Sequence, residues 1–134
     1  MAIWLFKTEP GDYSYADLER DGKTVWDGVG NNWALKNLRE VRKGDRALVY
    51  HTGKDKAVMG EAKVTSDPYP DPELDDPKMA VVDVEPMRAW ESPVKLAEIK
   101  ADPAFADFML VKFSRLSVMP VETKVLKRLK EMCL

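Results

Sequence analysis

Two apolar segments in the middle of the chain, separated by only four residues, limit the folds that the chain can adopt. The segments RALVYHT (46–52) and AVMGEAKVT (57–65) are rich in apolar and β-branched residues, and GKDK (53–56) joins them. Two such segments around a short connection that contains glycine predict an antiparallel hairpin. Parallel neighbours need a much longer crossover, so a doubly wound parallel sheet is not expected.

Shorter strands and helices are predicted on both sides of this hairpin. Strands are predicted at 2–7, 23–26, 79–90 and 113–121, with an edge or a bulge at Pro86. Helices are predicted from a cap at Ser14 or Asp12 to Asp21-Gly22, from Asn31 to Lys43-Gly44, from Ser92-Pro93 to Asp102-Pro103, and over 121–132. Residues 105–112 fit either a strand or a helix. This order predicts one α+β domain over residues 1–134, with a mixed, curved sheet or barrel decorated by short helices.

The segment SDPYPDPELDDPK (66–78) is predicted to be an extended surface loop, because its four prolines remove amide donors. Its acidic residues lack the glycine and the ligand spacing of a calcium-binding EF-hand loop. One cysteine and one histidine provide neither a disulfide framework nor a Cys/His metal site. No metal or cofactor is therefore expected. We also expect no membrane partner, and we expect a cytoplasmic monomer or weak dimer.

The segment TVWDGVGNNW (24–33) contains two tryptophans, two glycines, an aspartate and two asparagines in ten positions, a density that ordinary packing seldom requires. It is not a dinucleotide-binding loop, since Trp33 occupies the third glycine position of GxGxxG. It favours a core tryptophan at Trp26, followed by a turn at Asp27-Gly28 and a helix cap at Asn31. The alternative is a pocket in which a nucleobase stacks on Trp26 and the amides of Asn31 and Asn32 bind its edge.

Polar residues at strand ends provide further candidates. Lys7-Thr8-Glu9 ends the first predicted strand and Tyr50-His51-Thr52 ends another, where pockets commonly form. An enzyme with His51 as acid/base and Glu9 or Asp27 as partner is one alternative function. A protein-interaction module that uses the proline-rich loop or the C-terminal helix is another. The net charge of −2 argues against wholesale wrapping of nucleic acid, but the segment 36–46 is basic. The expected phosphate contacts are Lys36, Arg39, Arg42 and Lys43.

Six motifs in order along nearly the whole chain resemble the EVE domain family. They are WLFKTEP (4–10), VWDGVGNNWALKNLR (25–39), KGDRALVYHTG (43–53), VMGEAKV (58–64), YPDP (69–72) and RLSVMPV (115–121). The resemblance implies a PUA-like mixed β pseudobarrel related to YTH domains, which bind methylated adenine in an aromatic cage. It also implies a non-catalytic reader of a modified base, methylated cytosine among the options, in DNA or RNA.

The resemblance implies specific site residues as well. Trp26 matches a cage tryptophan, and Asp27 matches a residue whose backbone carbonyl contacts the base. The other implied ligand-binding residues are Gly28, Val29, Asn31, Asn32, Lys7, Thr8, Glu9, Tyr50, His51, Thr52, Arg115 and Ser117. The family commonly has arginine and glutamine after the GV pair, where this chain has Gly30, Trp33 and Leu35. This departure weakens the expectation of tight phosphate binding there and leaves Trp33 either as a further stacking surface or as an inward-packed side chain.

Overall fold

The predicted hairpin lies in the middle of a seven-stranded sheet in the computed structural model, which describes residues 1–133. The strands are β1 (Ile3–Thr8), β2 (Thr24–Trp26), β3 (Arg46–His51), β4 (Ala57–Val64), β5 (Tyr69–Pro70), β6 (Ala80–Lys95) and β7 (Val118–Pro120). The helices are α1 (Tyr15–Asp21), α2 (Asn32–Glu40), α3 (Leu96–Ala101), α4 (Met109–Lys112) and α5 (Thr123–Met132), with a short 3₁₀ turn at Pro103–Phe105. Among residues 1–133, no helix is both long enough and apolar enough to cross a bilayer.

The sheet is mixed, as the sequence predicts. Its strands lie in the order β2-β6-β4-β3-β1-β7, and β5 pairs with β6 outside this path. β1 and β3 are parallel, whereas the other pairs, including the β3–β4 hairpin, are antiparallel. The pairing of β4 with β6 shifts register beside Pro86, which confirms the predicted bulge. The result is a half-barrel with several short helices around it.

The apolar run of β1 is buried on both faces, as its nearly continuous hydrophobicity predicts. Leu5 and Phe6 are fully enclosed, and they pair in register with Leu48 and Val49 of β3. A strand that is covered on both sides needs apolar residues at successive positions, because its side chains alternate between the two faces. β1 therefore lies in the core, and its polar C-terminal end reaches the surface.

The loop before β3 is held to β1 by the buried carboxylate of Asp45. It accepts hydrogen bonds from the amides of Ala2 and Arg42 and from the indole N–H of Trp4, at 2.9 to 3.0 Å. Burial by itself raises the pKa of Asp45, but these hydrogen bonds outweigh burial and keep the pKa below its ordinary value. Trp4 and Trp90 are both core residues, as the apolar strands in which they lie favour.

Two predicted helix boundaries are wrong. The chain does not enter a helix at Ser92-Pro93; instead β6 continues through Lys95, because Val94 and Lys95 pair with the start of β4. Long-range strand pairing thus overrides the local preference of Ser-Pro for a helix start. The second predicted helix ends at Glu40, before Lys43-Gly44, because Val41 turns into extended backbone and is fully buried.

Three other segments differ from or refine the sequence prediction. The ambiguous segment 105–112 forms the end of the 3₁₀ turn and α4, and the predicted strand at 113–121 shortens to Val118–Pro120. The proline-rich segment is not wholly a solvated loop. This segment contains β5, which pairs with the start of β6. Asp71 is buried, and its carboxylate accepts a hydrogen bond from the amide N–H of Glu73.

Gly60 lies where two backbones approach closely, and replacing it with alanine should destabilise the protein by about 1 to 3 kcal/mol. A Cβ at this position would lie 2.7 Å from the carbonyl oxygen of Arg88 and 2.9 Å from the ring of Tyr15. Gly30 is the matched control, since a Cβ there meets nothing within 4 Å and its φ is not left-handed. Urea unfolding of both variants measures the effect. Equal midpoints for Gly60→Ala and Gly30→Ala would contradict the close approach.

Candidate functional site

An open pocket of about 360 Å³ lies beside the strand end that carries Trp26, and we call it the Trp26 pocket. It is lined by Thr8, Asp12, Tyr13, Thr24, Val25, Trp26 and Asp27. The pairing of β2 with β6 places Trp26 opposite Val82. Thr8 Oγ1 donates a 2.7 Å hydrogen bond to the carbonyl of Tyr13, which holds the turn before α1 against the end of β1. Three residues predicted from sequence, namely Thr8, Trp26 and Asp27, therefore meet in one pocket.

Trp26 belongs both to the core and to this pocket. Its ring packs against Phe6 with centroids 5.5 Å apart, and only 6% of the residue is exposed. Trp4 and Trp90 donate their indole N–H groups to Asp45 and Glu61. The indole N–H of Trp26 has no acceptor among residues 1–133, and this N–H is not fully enclosed by the protein. The accessible edge of Trp26 therefore carries an unused hydrogen-bond donor.

The strand alternation of β1 points Lys7 away from the Trp26 pocket and into a second one of about 250 Å³, the lysine pocket. Its lining residues are Lys7, Tyr50, Thr52, Gly53, Lys56, Leu96, Lys100, Leu110, Val111 and Ser114. The Lys7 ammonium lies 5.6 Å from the centre of the Tyr50 ring and donates to the carbonyl of Ser114 at 2.8 Å. Burial lowers the pKa of Lys7. The predicted site residues thus divide between two pockets.

Glu9 ties the ends of β1 and β3 together at the rim of the lysine pocket. Its carboxylate accepts hydrogen bonds from the amide of Gly11 at 3.1 Å and from the hydroxyl of Thr52 at 3.3 Å. The neighbouring Gly53 leaves room for this carboxylate, because a Cβ at Gly53 would lie 2.7 Å from a Glu9 oxygen. In this structure Glu9 and Thr52 therefore brace one another.

His51 is buried, and both of its ring nitrogens have partners within the protein. Nε2 accepts the amide N–H of Tyr15 at 2.9 Å, so the ring proton lies on Nδ1, which is 2.9 Å from a carboxylate oxygen of Asp55. This arrangement fixes the tautomer and locks the start of α1 onto the end of β3. A histidine held in this way has no unoccupied nitrogen to serve as acid or base, which weighs against the enzyme alternative.

The loop between β2 and α2 gives its residues different roles. Gly28 adopts a left-handed φ of 75°, and Val29 packs into the core. Asn31 is the N-cap of α2, as predicted, and its side-chain oxygen accepts the amides of Trp33 and Ala34. Asn32 is exposed. The side chains of Asn31 and Asn32 do not line the Trp26 pocket, so they lie outside the contacts that the sequence suggests for a base edge.

Trp33 does not pack inward, because 42% of the residue is exposed. Its ring meets Phe113, itself 40% exposed, in an edge-to-face pair with centroids 4.8 Å apart. A third pocket of about 290 Å³ surrounds this pair and is lined by Asn31, Trp33 and residues 112–116, including Arg115. Ser117 does not line this pocket, and its backbone carbonyl accepts a hydrogen bond from the amide N–H of Lys7 at 2.9 Å.

The four residues expected to contact phosphate are exposed, but some of their polar groups have partners. The Arg39 guanidinium donates to the carbonyl of Lys78, and that of Arg42 donates to the carbonyls of Arg39 and Val41. The amide of Lys43 donates to the carboxylate of Asp67, which lines a shallow pocket with Arg39 and Arg42. Lys36 lies on the exposed side of α2. The negative charge of Asp67, in the proline-rich segment, therefore offsets part of the positive charge of this surface.

Sequence reasoning missed several lining residues. Thr24 and Val25 of the Trp26 pocket are next to Trp26 in sequence, and this adjacency is the signal that could have found them. Asp12 and Tyr13 reach it only through the turn after β1, and Lys56 and Lys100 of the lysine pocket carry no local motif. Within residues 1–133, no group of three or more His, Cys, Asp or Glu side chains is placed to hold a metal ion.

Comparisons with known proteins agree with this architecture. The Rpa0253 protein of Rhodopseudomonas palustris has a structure with a TM-score of 0.93 to this chain at 37% identity, covering 98% of this chain and 92% of that one. The structure of the human THYN1 protein in complex with 5-methylcytosine-containing DNA has a TM-score of 0.90 at 27% identity, covering 99% and 98% of the two chains. These similarities confirm the predicted α+β fold, a mixed, curved sheet with short helices around it, which is here a half-barrel.

A sequence relative gives the same assignment. Thymocyte nuclear protein 1 of Homo sapiens is 32% identical over 124 residues, which cover 73% of this chain and 55% of that protein. The chain thus spans little more than half the length of this curated relative. The EVE domain profile matches residues 2–132. The chain therefore belongs to the EVE domain family.

Proposed function

We propose that this domain is a non-catalytic module that binds nucleic acid and recognises a methylated base, such as 5-methylcytosine, in the Trp26 pocket. The observation that carries this proposal is the indole N–H of Trp26, which has no acceptor among residues 1–133, in a residue that lines an open pocket whose other lining residues, apart from Val25, are polar. The family member crystallised with 5-methylcytosine-containing DNA supports the choice of ligand.

The walls of the Trp26 pocket suit the edge of a base. The indole N–H donates to a ring nitrogen or carbonyl oxygen, and the carboxylates of Asp12 and Asp27 are acceptors for an exocyclic amine. Val25 is exposed at the rim and provides apolar contact for a methyl group. Since only a small part of the Trp26 residue is exposed, the base meets the edge of the indole, and Tyr13 is the ring on which it stacks.

A base enters such a pocket only after it leaves the stack of its strand. Unstacking and unpairing cost a few kcal/mol, which the pocket contacts and the phosphate contacts have to offset. The lysine pocket and the exposed basic residues of α2 supply positive charge for the phosphates. In this proposal the lysines and arginines set the affinity, and the Trp26 pocket sets the preference for the methylated base.

Binding of oligonucleotides that differ only in one methyl group tests the proposal. We expect the wild-type domain to bind the 5-methylcytosine oligonucleotide about fourfold more tightly than the plain one, since burying one methyl group is worth about 0.8 kcal/mol. The variant Trp26→Phe keeps a ring in the core and removes the donor that holds the base edge. It should lose most of this preference, because the methyl group is buried only while the base is held in the pocket. Fluorescence anisotropy with labelled strands at fixed salt gives the four affinities.

Trp90→Phe is the matched control, because it removes an indole N–H that is bonded to Glu61 and does not line the Trp26 pocket. It should keep the ratio of affinities of the wild type. Equal affinity for methylated and plain oligonucleotides in the wild type would reject the recognition of methylcytosine in this pocket. Thermal unfolding of each variant establishes that the compared proteins are folded at the temperature of the assay.

A further inference from the structure

The strongest exposed apolar feature outside the Trp26 pocket is the edge-to-face pair of Trp33 and Phe113. Each ring is about two-fifths exposed, although a ring of this size usually gains stability by burial. The two residues come from different parts of the chain, the first turn of α2 and the loop after α4, and their centroids lie 4.8 Å apart. The fold therefore assembles a fixed aromatic surface that the core does not use.

Positive side chains surround this pair. Lys112 and Arg115 line the same pocket, and the nearest acid recorded for Lys112 is Asp107, at a loose 3.9 Å. Arg115 forms no ion pair with any of residues 1–133. An aromatic surface beside one loosely paired and one unpaired cation has the charge of a surface that meets a polyanion.

The lysine pocket adjoins this surface. Ser114 lines both, and its carbonyl accepts the hydrogen bond from the half-buried Lys7 ammonium. Lys56 and Lys100 line the far side of the lysine pocket without an ion-pair partner in the described part of the chain. Among the described residues, no carboxylate lines either pocket, and the Glu9 carboxylate at the rim of the lysine pocket is engaged by the amide of Gly11 and the hydroxyl of Thr52. Stacking surface and anion pocket are thus side by side.

We propose that the Trp33–Phe113 pair is a stacking platform for a second base of the bound strand, and that the lysine pocket holds a phosphate next to that base. This inference rests on the proposed function, because it assigns a further contact to the same nucleic acid. The loop 27–31 connects the two base sites, since Asp27 lines the Trp26 pocket and Asn31 lines the platform. A base that neighbours the flipped one is unstacked on one side and gains a new partner there.

Nucleic acid fits this surface better than a protein partner does. Apolar protein surfaces cover aromatic residues but do not neutralise five adjacent cations (Lys7, Lys56, Lys100, Lys112 and Arg115), whereas the alternation of base and phosphate in a strand matches rings beside cations. Stacking tolerates any base, so the platform contributes affinity without sequence preference.

The test combines affinity with a fluorescent base. Oligonucleotides carry 5-methylcytosine or cytosine, with 2-aminopurine placed on either side of it. In the wild type we expect the 2-aminopurine emission to change on binding at one of the two flanking positions. Trp33→Ala and Phe113→Ala should abolish that change and weaken binding of both oligonucleotides about tenfold, with the ratio of the two affinities unchanged. Lys100→Ala should lower the slope of log affinity against log salt by about 0.7 for a single strand.

Leu74→Ala is the control, because Leu74 is an equally exposed apolar side chain in the proline-rich segment. It should change neither the emission nor the affinity. Wild-type affinities in Trp33→Ala and Phe113→Ala, with methyl preference intact, would overturn the platform while leaving the proposed function standing. If the wild type bound methylated and plain oligonucleotides equally, and Trp33→Ala bound both tenfold more weakly, the methyl recognition would be rejected and the platform supported. No binding of any oligonucleotide to the wild type would overturn both.

Discussion

Replacing Trp26 with alanine should abolish the preference for a methylated base and lower the free energy of unfolding by about 3 to 5 kcal/mol. Both effects follow from the two environments of this residue. The buried part of the ring packs against Phe6, so its removal leaves a cavity in the core. The accessible edge lines the Trp26 pocket, so its removal also takes away the indole donor and one wall. Urea unfolding measures the first effect, and anisotropy at low temperature measures the second.

Trp4→Ala separates the two effects. Trp4 is as buried as Trp26, but its indole is bonded to Asp45 and it does not line the Trp26 pocket. Its replacement should cost a similar free energy of unfolding and leave the ratio of affinities for methylated and plain strands unchanged. If Trp26→Ala retained the wild-type ratio, Trp26 would be a core residue alone, as the local sequence pattern by itself favours.

Replacing Glu61 with alanine should destabilise the domain by about 3 to 5 kcal/mol without changing nucleic-acid recognition. Glu61 is 3% exposed, and its carboxylate accepts hydrogen bonds from the Trp90 indole at 2.9 Å and from the Arg46 guanidinium at 3.3 Å. The ammonium of Lys130, on α5, lies 3.3 Å away and completes the group. Removing the carboxylate leaves the partly buried Arg46 and the Trp90 donor without their acceptor, which costs more than the attraction itself contributes.

Arg46→Met should cost much less than Glu61→Ala. Glu61 keeps two donors in this variant, and the Nε of Arg46, which is buried without a partner among residues 1–133, is removed. Lys124→Ala, which breaks an exposed pair with Glu122, should have little effect on unfolding. Chemical unfolding of Glu61→Ala, Arg46→Met and Lys124→Ala measures the loss of unfolding free energy in each variant and ranks the three. A cost for Glu61→Ala as small as that for Lys124→Ala would contradict a structural role for the buried carboxylate.

Much of the fold follows from local sequence. The hairpin between β3 and β4 is determined by two β-rich segments and a short connection, and the burial of β1 by its unbroken apolar run. The capping side chain of Asn31 starts α2 where predicted. The errors occur where a distant strand competes with a local signal, as at Ser92-Pro93, where pairing with β4 extends β6.

The site was predicted less completely, because a pocket is formed by residues that are distant in sequence. The sequence places Thr8 and Trp26 at strand ends, but only the parallel pairing of β1 with β3 shows that Lys7 faces Tyr50 on the other side of the strand. His51 could be an acid/base residue by its type, whereas its bonds to Tyr15 and Asp55 identify it as a structural link.

The segment 24–33 shows the division between the two sources of information. By itself the sequence determined that this segment is not a dinucleotide-binding loop, that Asn31 caps a helix, and that Trp26 ends a strand, since these depend on spacing and on backbone preferences of nearby residues. The tertiary structure decided that the indole N–H of Trp26 finds no acceptor in the described part of the chain and that Trp33 is exposed against Phe113. Neither property follows from local pattern, because solvent exposure and hydrogen-bond partners depend on which distant residues the fold brings alongside.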